Sequence, residues 1–130
     1  MAFECTVVTP EKQAFEGMVL QVIVAAHDGS MGVLTGRAPM LVKLGVGALR
    51  LDRPDGQKQY FLIDGGVAQM KGDRLVILTQ EARGAEGLEV KEAEAAMAEA
   101  AGKRIVDEKS FEERQRGMER ARAMRELAGK

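Results

Sequence analysis

Few side chains in this sequence are suited to covalent or proton-transfer chemistry. The chain has one histidine, His27, and one cysteine, Cys5. Imidazole is the group that most often exchanges protons at neutral pH, but no serine or cysteine nucleophile stands at a motif spacing from His27. Cys5 lies in an alternating apolar segment, where a buried and inert thiol is the usual outcome. We therefore predict no catalytic residue; a small enzyme that uses His27 with a neighbouring acid is the alternative.

The acidic residues and glycines form no recognisable ligand-binding motif. Asp52, Asp55 and Asp64 are not spaced like the oxygen ligands of a cation-binding loop. One cysteine and one histidine cannot supply a thiolate cluster or a multi-histidine metal site. The segment Asp64-Gly65-Gly66 lacks the lysine and the following helix of a phosphate-binding loop. The sequence therefore predicts no metal site and no cofactor.

Composition excludes several further classes of function. The 130 residues are 45% hydrophobic, which is enough for a folded core. Aromatic residues make up only 4%, and 19 basic residues stand against 20 acidic ones, so we expect no nucleic-acid partner. No apolar run approaches the roughly 18 residues of a membrane-spanning helix, and the acidic, alternating start of the chain is unlike a signal or transit peptide. We expect a protein without direct membrane insertion.

The first 87 residues carry the pattern of short strands separated by turns. Apolar residues alternate with polar ones over 3–7, and Thr9-Pro10 ends this segment. An almost unbroken apolar run over 19–26 predicts a strand that is covered on both faces. Further strands are predicted over 46–52, 60–63, 67–70 and 75–79. Because no helical period separates these segments, the pattern indicates an antiparallel sandwich or barrel.

From residue 88 onward the sequence is helical. Residues 89–106 are dominated by strong helix formers, and a second helix is predicted over 111–128, with Ser110 as its N-cap and Glu113 as the capping-box partner. Two helices joined by so few residues fold back as an antiparallel hairpin. The facing residues of the first helix are small, so the hairpin should be held weakly and be detachable. A hairpin packed permanently on the sheet is the alternative. These facing residues are Ala93, Ala96, Ala100 and the interleaved Met97.

The predicted fold class is thus an all-β N-terminal antiparallel β-sandwich followed by a C-terminal antiparallel α-helical hairpin, with domains 1–87 and 88–130.

The net charge of −1 is distributed unevenly along the chain. Residues 1–87 carry −1, residues 88–108 carry −3 and residues 109–130 carry +3. Attraction between the two helices favours the folded hairpin, and the basic second helix can also seek an acidic partner.

The segment Gly29–Leu41, which reads GSMGVLTGRAPML, resembles the loop that defines the epsilon subunits of F-type rotary ATP synthases. The common form of that loop is G-x-x-G-I-L-P-G-H-A-P-L-L. Thr35 and Arg37 stand where the family usually has proline and histidine. The rest of the chain keeps the family's order, with a helical tail after three further segments: Val7-Val8-Thr9-Pro10, Asp64-Gly65-Gly66 and 73–78. The resemblance covers essentially the whole chain.

This resemblance implies a non-catalytic subunit of the central rotor stalk. In the family, the sandwich binds the gamma subunit and the ring of c subunits, and it passes ion-driven rotation to gamma during ATP synthesis. By motif position, Thr9, Arg37 and Val42 would face gamma, and Arg37 is the strongest candidate because arginine is enriched at interface hot spots. Ser30 and Met31 would contact the c ring. The implied location is the cytoplasmic face of a bacterial membrane, reached only through that ring.

The resemblance also implies a regulatory hairpin. In the family it lies folded on the sandwich or extends along gamma towards the catalytic alpha and beta subunits, where it blocks ATP hydrolysis. An acidic segment of those subunits would meet the basic residues of the second helix. The alternative for these arginines is a solvated face with i,i+4 ion pairs. They are Arg114, Arg116, Arg120, Arg122 and Arg125.

Some family members bind ATP on the folded hairpin through an I/L-D-x-x-R-A motif. The matching residues here read Leu88-Glu89-Val90-Lys91-Glu92-Ala93. Glu92 places a negative charge where the motif arginine would favour a triphosphate. We therefore predict no ATP binding at this site. A free-standing binding module with the same architecture, such as a small-ligand sensor, is the second hypothesis for the whole chain.

Overall fold

The computed structural model describes residues 2–35 and 39–130, which form eight strands followed by two helices. The strands are β1 (Phe3–Val8), β2 (Gln13–Val19), β3 (Gln21–Ala26), β4 (Met31–Leu34), β5 (Met40–Asp52), β6 (Lys58–Lys71), β7 (Arg74–Leu78) and β8 (Ala82–Gly84). One 3-10 turn, Ala85–Gly87, leads to α1 (Val90–Ala101) and α2 (Glu108–Leu127). The predicted fold class, a β-sandwich followed by a helical hairpin, is confirmed.

The eight strands form one sheet in the order β2-β1-β7-β6-β5-β3-β4, with β8 also paired to β6. β1 and β7 pair in parallel, whereas the other recorded pairs are antiparallel. The sheet folds into two layers because β5 and β6, of 13 and 14 residues, are long enough to belong to both. The first layer holds β2, β1 and β7 with residues 40–44 and 66–71. The second holds β4, β3 and β8 with residues 46–52 and 58–64.

Several details of the predicted strands are wrong. The predictions miss β4 and β8, and 46–52 is only the second half of β5. The segment 19–26 is not one strand, because β2 ends at Val19 and β3 begins at Gln21. The sequence pattern misses β2 itself, a mostly exposed strand at the sheet edge whose apolar residues do not alternate regularly. The segments 60–63 and 67–70 belong to a single strand, β6, which continues through Asp64-Gly65-Gly66. Glycine here marks the place where a strand bends from one layer into the other, opposite Leu44 and Val46 of β5.

The core between the two layers is built from alternate residues of each strand. Cys5 is among its fully buried members, and loss of hydration raises the pKa of its thiol to about 12. The prediction of a buried thiol is therefore confirmed, and such a thiol carries almost no reactive thiolate at neutral pH. Its other large side chains include Phe3, Leu49, Leu51, Phe61, Ile63, Leu75 and Ile77.

The hairpin lies folded on the outer face of the second layer. Leu62 of β6 is completely buried there, under a cluster that includes Met124 and Leu127 of α2 and Leu88 before α1. Six of the eleven residues in this cluster are alanines, so the hairpin is held by small side chains, as its sequence predicts. The two helices also approach each other closely, since a β-carbon on Gly117 would lie 3.0 Å from that of Ala100.

The predicted cap of the second helix is wrong. Asp107 is the N-cap, and its carboxylate accepts a hydrogen bond of 2.8 Å from the backbone N–H of Ser110. The Ser110 hydroxyl oxygen in turn accepts a bond from the backbone N–H of Asp107, which completes a capping box. The hydrogen bond from the Ser110 backbone lowers the pKa of Asp107. The helix thus begins at Glu108, three residues earlier than predicted, because Asp107 rather than Ser110 takes the extended cap position.

Candidate functional site

One outer face of the sandwich exposes apolar side chains. We call the open face the outward-pointing apolar residues of the first layer: Val8, Leu41, Val67, Val76 and Leu78. The exposed fraction of Leu41 is 70% and that of Leu78 is 48%. Val67 lies opposite Leu78, which lies beside Val8, and Gln69 lies between Leu41 and Val76 in the neighbouring row. Val8, Leu78, Val67 and Val76 therefore adjoin one another across three strands, and Gln69 separates them from Leu41.

Two grooves mark the open face. The first, of about 360 Å³, lies between Thr9-Pro10 and the strands at Val67 and Leu78. The second, of about 460 Å³, is lined by Pro39–Leu41 and by 69–71 of β6. In the second layer, by contrast, the hairpin covers the outer face. An apolar sheet face that the described residues of its own chain leave uncovered is the usual mark of a protein interface.

The predicted gamma-contact residues take three different positions. Thr9 closes the β1–β2 turn, where its hydroxyl donates a 3.0 Å hydrogen bond to the Lys12 carbonyl and accepts one from the Lys12 N–H. This places Thr9 at the rim of the first groove. Val42 points inward and packs partly against the core, so its neighbour Leu41 faces outward instead. Arg37 lies outside the described residues.

The predicted c-ring contact residues form the turn between β3 and β4. The backbone N–H and the hydroxyl of Ser30 both donate to one carboxylate oxygen of Asp28, at 3.0 and 2.6 Å. These bonds lower the pKa of Asp28 and fix the turn in one shape. Met31, the next residue, has 63% of its surface exposed. The turn therefore presents a rigid polar loop with one exposed apolar side chain.

Two of the five predicted regulatory arginines bind the sandwich. Arg116 forms an ion pair with Asp64 of β6, and Arg120 forms one with Glu81, at 2.7 Å. Arg114 lies 3.4 Å from the carbonyl oxygen of Ala101 at the end of α1. Arg116 and Arg120 thus pair with the sandwich and not with i,i+4 neighbours, although the Arg116 side chain is still 56% exposed. The remaining two, Arg122 and Arg125, are exposed.

Glu92 is also paired across the interface between hairpin and sandwich. Both terminal nitrogens of Arg83 on β8 bind its carboxylate, one of them at 2.8 Å. Hydrogen bonds from Arg83 lower the pKa of Glu92, which keeps this carboxylate charged. Where the ATP motif has an arginine, this chain thus holds a carboxylate that already has a partner. That the site binds no ATP stays a prediction.

The remaining candidate for chemistry, His27, lies exposed at the end of β3. It lines a cleft of about 450 Å³ beneath α2, together with Arg116 and Glu119. Within residues 2–35 and 39–130, no three His, Cys, Asp or Glu side chains come together as a metal site would require. In the same residues neither helix is long and apolar enough to cross a membrane.

The sequence pattern missed the open face and the acidic partners of the arginines. For the open face a signal existed: Leu75-Val76-Ile77-Leu78 is an unbroken apolar run, so its outward residues are apolar as well. Asp64, Glu81 and Arg83 carried no such signal, because their partners are distant in the sequence. Only the opposite net charges of the chain's segments indicated that pairs of this kind could form.

Comparison with known proteins agrees with the resemblance. The β-sandwich domain of the ATP synthase delta/epsilon chain family matches residues 2–85. The ATP synthase epsilon chain of Rhodopirellula baltica is 41% identical over 100 residues, which cover 77% of either chain. That of Chromohalobacter salexigens is 32% identical over 127 residues, covering 98% of this chain and 85% of the relative.

A solved structure shares the fold. A chain of the Euglena gracilis mitochondrial ATP synthase superposes with a TM-score of 0.81, over 97% of this chain and 80% of that chain. At 24% sequence identity this likeness is one of fold, and it includes both the sandwich and the hairpin. Together with the sequence matches, it shows that the chain belongs to the ATP synthase delta/epsilon chain family, among the epsilon subunits of F-type ATP synthases.

Proposed function

We propose that this chain is a non-catalytic subunit of the central stalk of an F-type ATP synthase. Its sandwich, residues 1–87, couples rotation of the c ring to the gamma subunit during ATP synthesis, and its hairpin, residues 88–130, regulates ATP hydrolysis. The observation that carries the proposal is the open face. It brings apolar side chains of β1, β6 and β7 together, and it lies on the side of the sandwich that the hairpin leaves free.

The open face suits the gamma subunit for a mechanical reason. A part that transmits torque must keep its shape under load, and a close-packed two-layer sandwich has low compressibility. Burying Leu41 and Leu78 against a partner removes apolar surface from water at about 25 cal/mol per Å². Among the residues assigned to gamma by motif, Thr9 borders the open face, and Val42 supports it from inside.

The turn at Ser30 and Met31 suits the c ring. Its backbone is fixed by Asp28, so the turn can bear on a polar loop of another protein without first losing conformational freedom. Contact with the ring alone would give the chain a peripheral position at the membrane, on the cytoplasmic side in a bacterium. No part of this assignment requires the chain itself to enter the lipid.

Co-purification tests the assignment to the stalk. We expect the tagged full chain to recover the gamma subunit, the c subunits and the large catalytic subunits from extracts of its own cells in mild detergent. Untagged cells processed in parallel give the background. Recovery of the chain alone would exclude the stalk assignment and favour the free-standing sensor.

For the hairpin, we propose that it restrains hydrolysis after it leaves the sandwich. Two features support this proposal. The docking cluster is built mostly from alanines, and the ion pairs across the interface are partly exposed, so undocking is not costly. The basic side chains of Arg116 and Arg120, released from Asp64 and Glu81, could then meet carboxylates of the alpha and beta subunits.

A covalent tether tests this role. Cysteines at Asp64→Cys and Arg116→Cys, joined by a short bis-maleimide, would hold the hairpin on the sandwich. Native Cys5 is buried and does not compete for the reagent. We expect the tethered holoenzyme to hydrolyse ATP faster than the untethered one, with ATP synthesis unchanged. The single variant Arg116→Cys, treated with the same reagent, is the control. If tethering leaves hydrolysis unchanged, the hairpin is not the brake.

A further inference from the structure

Four charged side chains meet where the hairpin joins the sandwich. We call them the charge quartet: Glu81, Arg83, Glu92 and Arg120. Glu81 precedes β8, Arg83 lies on β8, Glu92 on α1 and Arg120 on α2. The quartet therefore links the edge of the second layer to both helices at one point.

Two ion pairs build the charge quartet. Arg83 binds the carboxylate of Glu92 with both terminal nitrogens and also donates a 3.1 Å hydrogen bond to the Gly87 carbonyl. Arg120 binds Glu81 through Nε at 3.2 Å and through a terminal nitrogen at 2.7 Å. The Arg83–Glu92 pair uses two nitrogens and two oxygens, the bidentate arrangement that gives arginine–carboxylate contacts their geometric specificity, whereas both nitrogens of Arg120 bind one oxygen of Glu81.

The two pairs are close enough to interact. The pKa of Glu92 is lowered first by hydrogen bonds from Arg83, and the charge of Arg120 lowers it further. The pKa of Arg83 is raised first by Glu92, and the charge of Glu81 raises it further. Each of these groups therefore feels an opposite charge from the other pair. The charge quartet is an alternating arrangement of two cations and two anions and is neutral as a whole.

Besides the charge quartet, the hairpin is held by the Arg116–Asp64 ion pair and by a small apolar cluster. The apolar cluster is rich in alanine, and Met124 and Leu127 are its only large side chains from the two helices. All four quartet side chains keep between about a third and two fifths of their surface exposed, so dissolved ions can reach them. The electrostatic part of docking is therefore open to screening by dissolved salt.

We propose that the charge quartet is a latch that makes docking of the hairpin depend on ionic strength. Low salt strengthens the alternating attractions and keeps the hairpin on the sandwich. High salt screens them and frees the hairpin without any ligand. The latch deepens the proposed regulatory role of the hairpin, but it is a property of the isolated chain and can be tested without a partner.

Tyr60 provides a label-free probe for the test. It is the only tyrosine, and the chain has no tryptophan. Tyr60 packs against the docking cluster, and the Lys130 ammonium lies 5.4 Å from its ring centroid, so undocking must expose it. Quenching of its fluorescence by acrylamide, which is uncharged, measures that exposure. The variant Met124→Asp, which buries a charge in the cluster, gives the signal of the undocked hairpin.

We expect the equilibrium constant for undocking to rise about tenfold as NaCl increases from about 0.02 to about 1 M. The double variant Glu92→Gln/Arg120→Gln should undock readily at low salt and lose most of this salt response. Glu94→Gln, an exposed change on the same helix, should behave like the unaltered chain. Lys130→Gln should keep the salt response. That result would show that the response does not come from the contact between Lys130 and Tyr60. Circular dichroism checks that each variant keeps its strands and helices.

Charge exchange distinguishes one quartet from two independent pairs. Exchanging the charges of one pair, in Arg83→Glu/Glu92→Arg, retains that pair but puts like charges beside Glu81 and Arg120. We therefore expect this variant to undock, and we expect docking to return when Glu81→Arg and Arg120→Glu are added. Quenching of Tyr60 that does not change with salt would overturn the latch. Normal docking of the variant with one exchanged pair would overturn the quartet. Neither result would bear on binding to gamma.

Discussion

Replacing Gly66 with alanine should lower the free energy of unfolding of the isolated chain by about 3 kcal/mol or more. Gly66 has a φ of +106°, in the region that favours glycine. A β-carbon there would lie 1.8 Å from the carbonyl oxygen of Leu78 and 2.8 Å from the α-carbon of Thr79. Both are backbone atoms, so no change of rotamer can relieve the clash. The two strands would have to separate where β6 bends between the layers.

Gly72 provides the matched control for this substitution. It also has a positive φ, +65°, but a β-carbon there would meet nothing within 4 Å. Gly72→Ala should therefore cost only about 1 kcal/mol, which is the penalty of the left-handed conformation alone. Urea unfolding followed by circular dichroism compares the two variants. Equal losses of stability would show that conformation, and not the close approach of β7, explains the need for glycine at position 66.

The same position shows how far the sequence predicts this fold. Alternating apolar residues and turn residues locate most strands, and two segments rich in helix-forming residues locate the hairpin, because these signals are local. The pairing of strands is not local. Nothing in the sequence of β1 shows that it lies parallel to β7, about 70 residues away, or that β6 runs through both layers. Asp64-Gly65-Gly66 therefore looked like a turn, although it is a bend within one strand.

Of the candidate site, too, the local features could be predicted from the sequence and the long-range contacts could not. The segment Gly29–Leu41 indicated the family, and the charge of each segment indicated that the hairpin is electrostatically held. The partners could not be predicted, since Arg116 and Asp64 are 52 residues apart and meet only after α2 has docked. The open face was hidden for a different reason. An unbroken apolar run such as 75–78 of β7 is typical of a strand buried on both sides, and only the structure shows that one side is uncovered.

Leu78→Glu should weaken binding to the gamma subunit at least about 100-fold, if the open face is the interface with gamma. Leu78 lies between Val8 and Val67 at the centre of one row of the open face, so a partner would bury it. A carboxylate there would lose its hydration, and its cross-strand neighbours Val8 and Val67 offer no opposite charge. In the free chain the side chain is about half exposed, so the free energy of unfolding should change by less than about 0.5 kcal/mol.

Titration of the purified gamma subunit with the full chain measures this effect, and Val106→Glu is the matched control. Val106 lies in the turn between α1 and α2, 76% exposed and away from the open face, so the added charge is the same but the place is different. We expect Val106→Glu to bind gamma like the unaltered chain. Equal affinities of the two variants would exclude the open face as the contact with gamma. Because both variants should unfold at the same urea concentration as the unaltered chain, a loss of affinity confined to Leu78→Glu can only come from the contact itself.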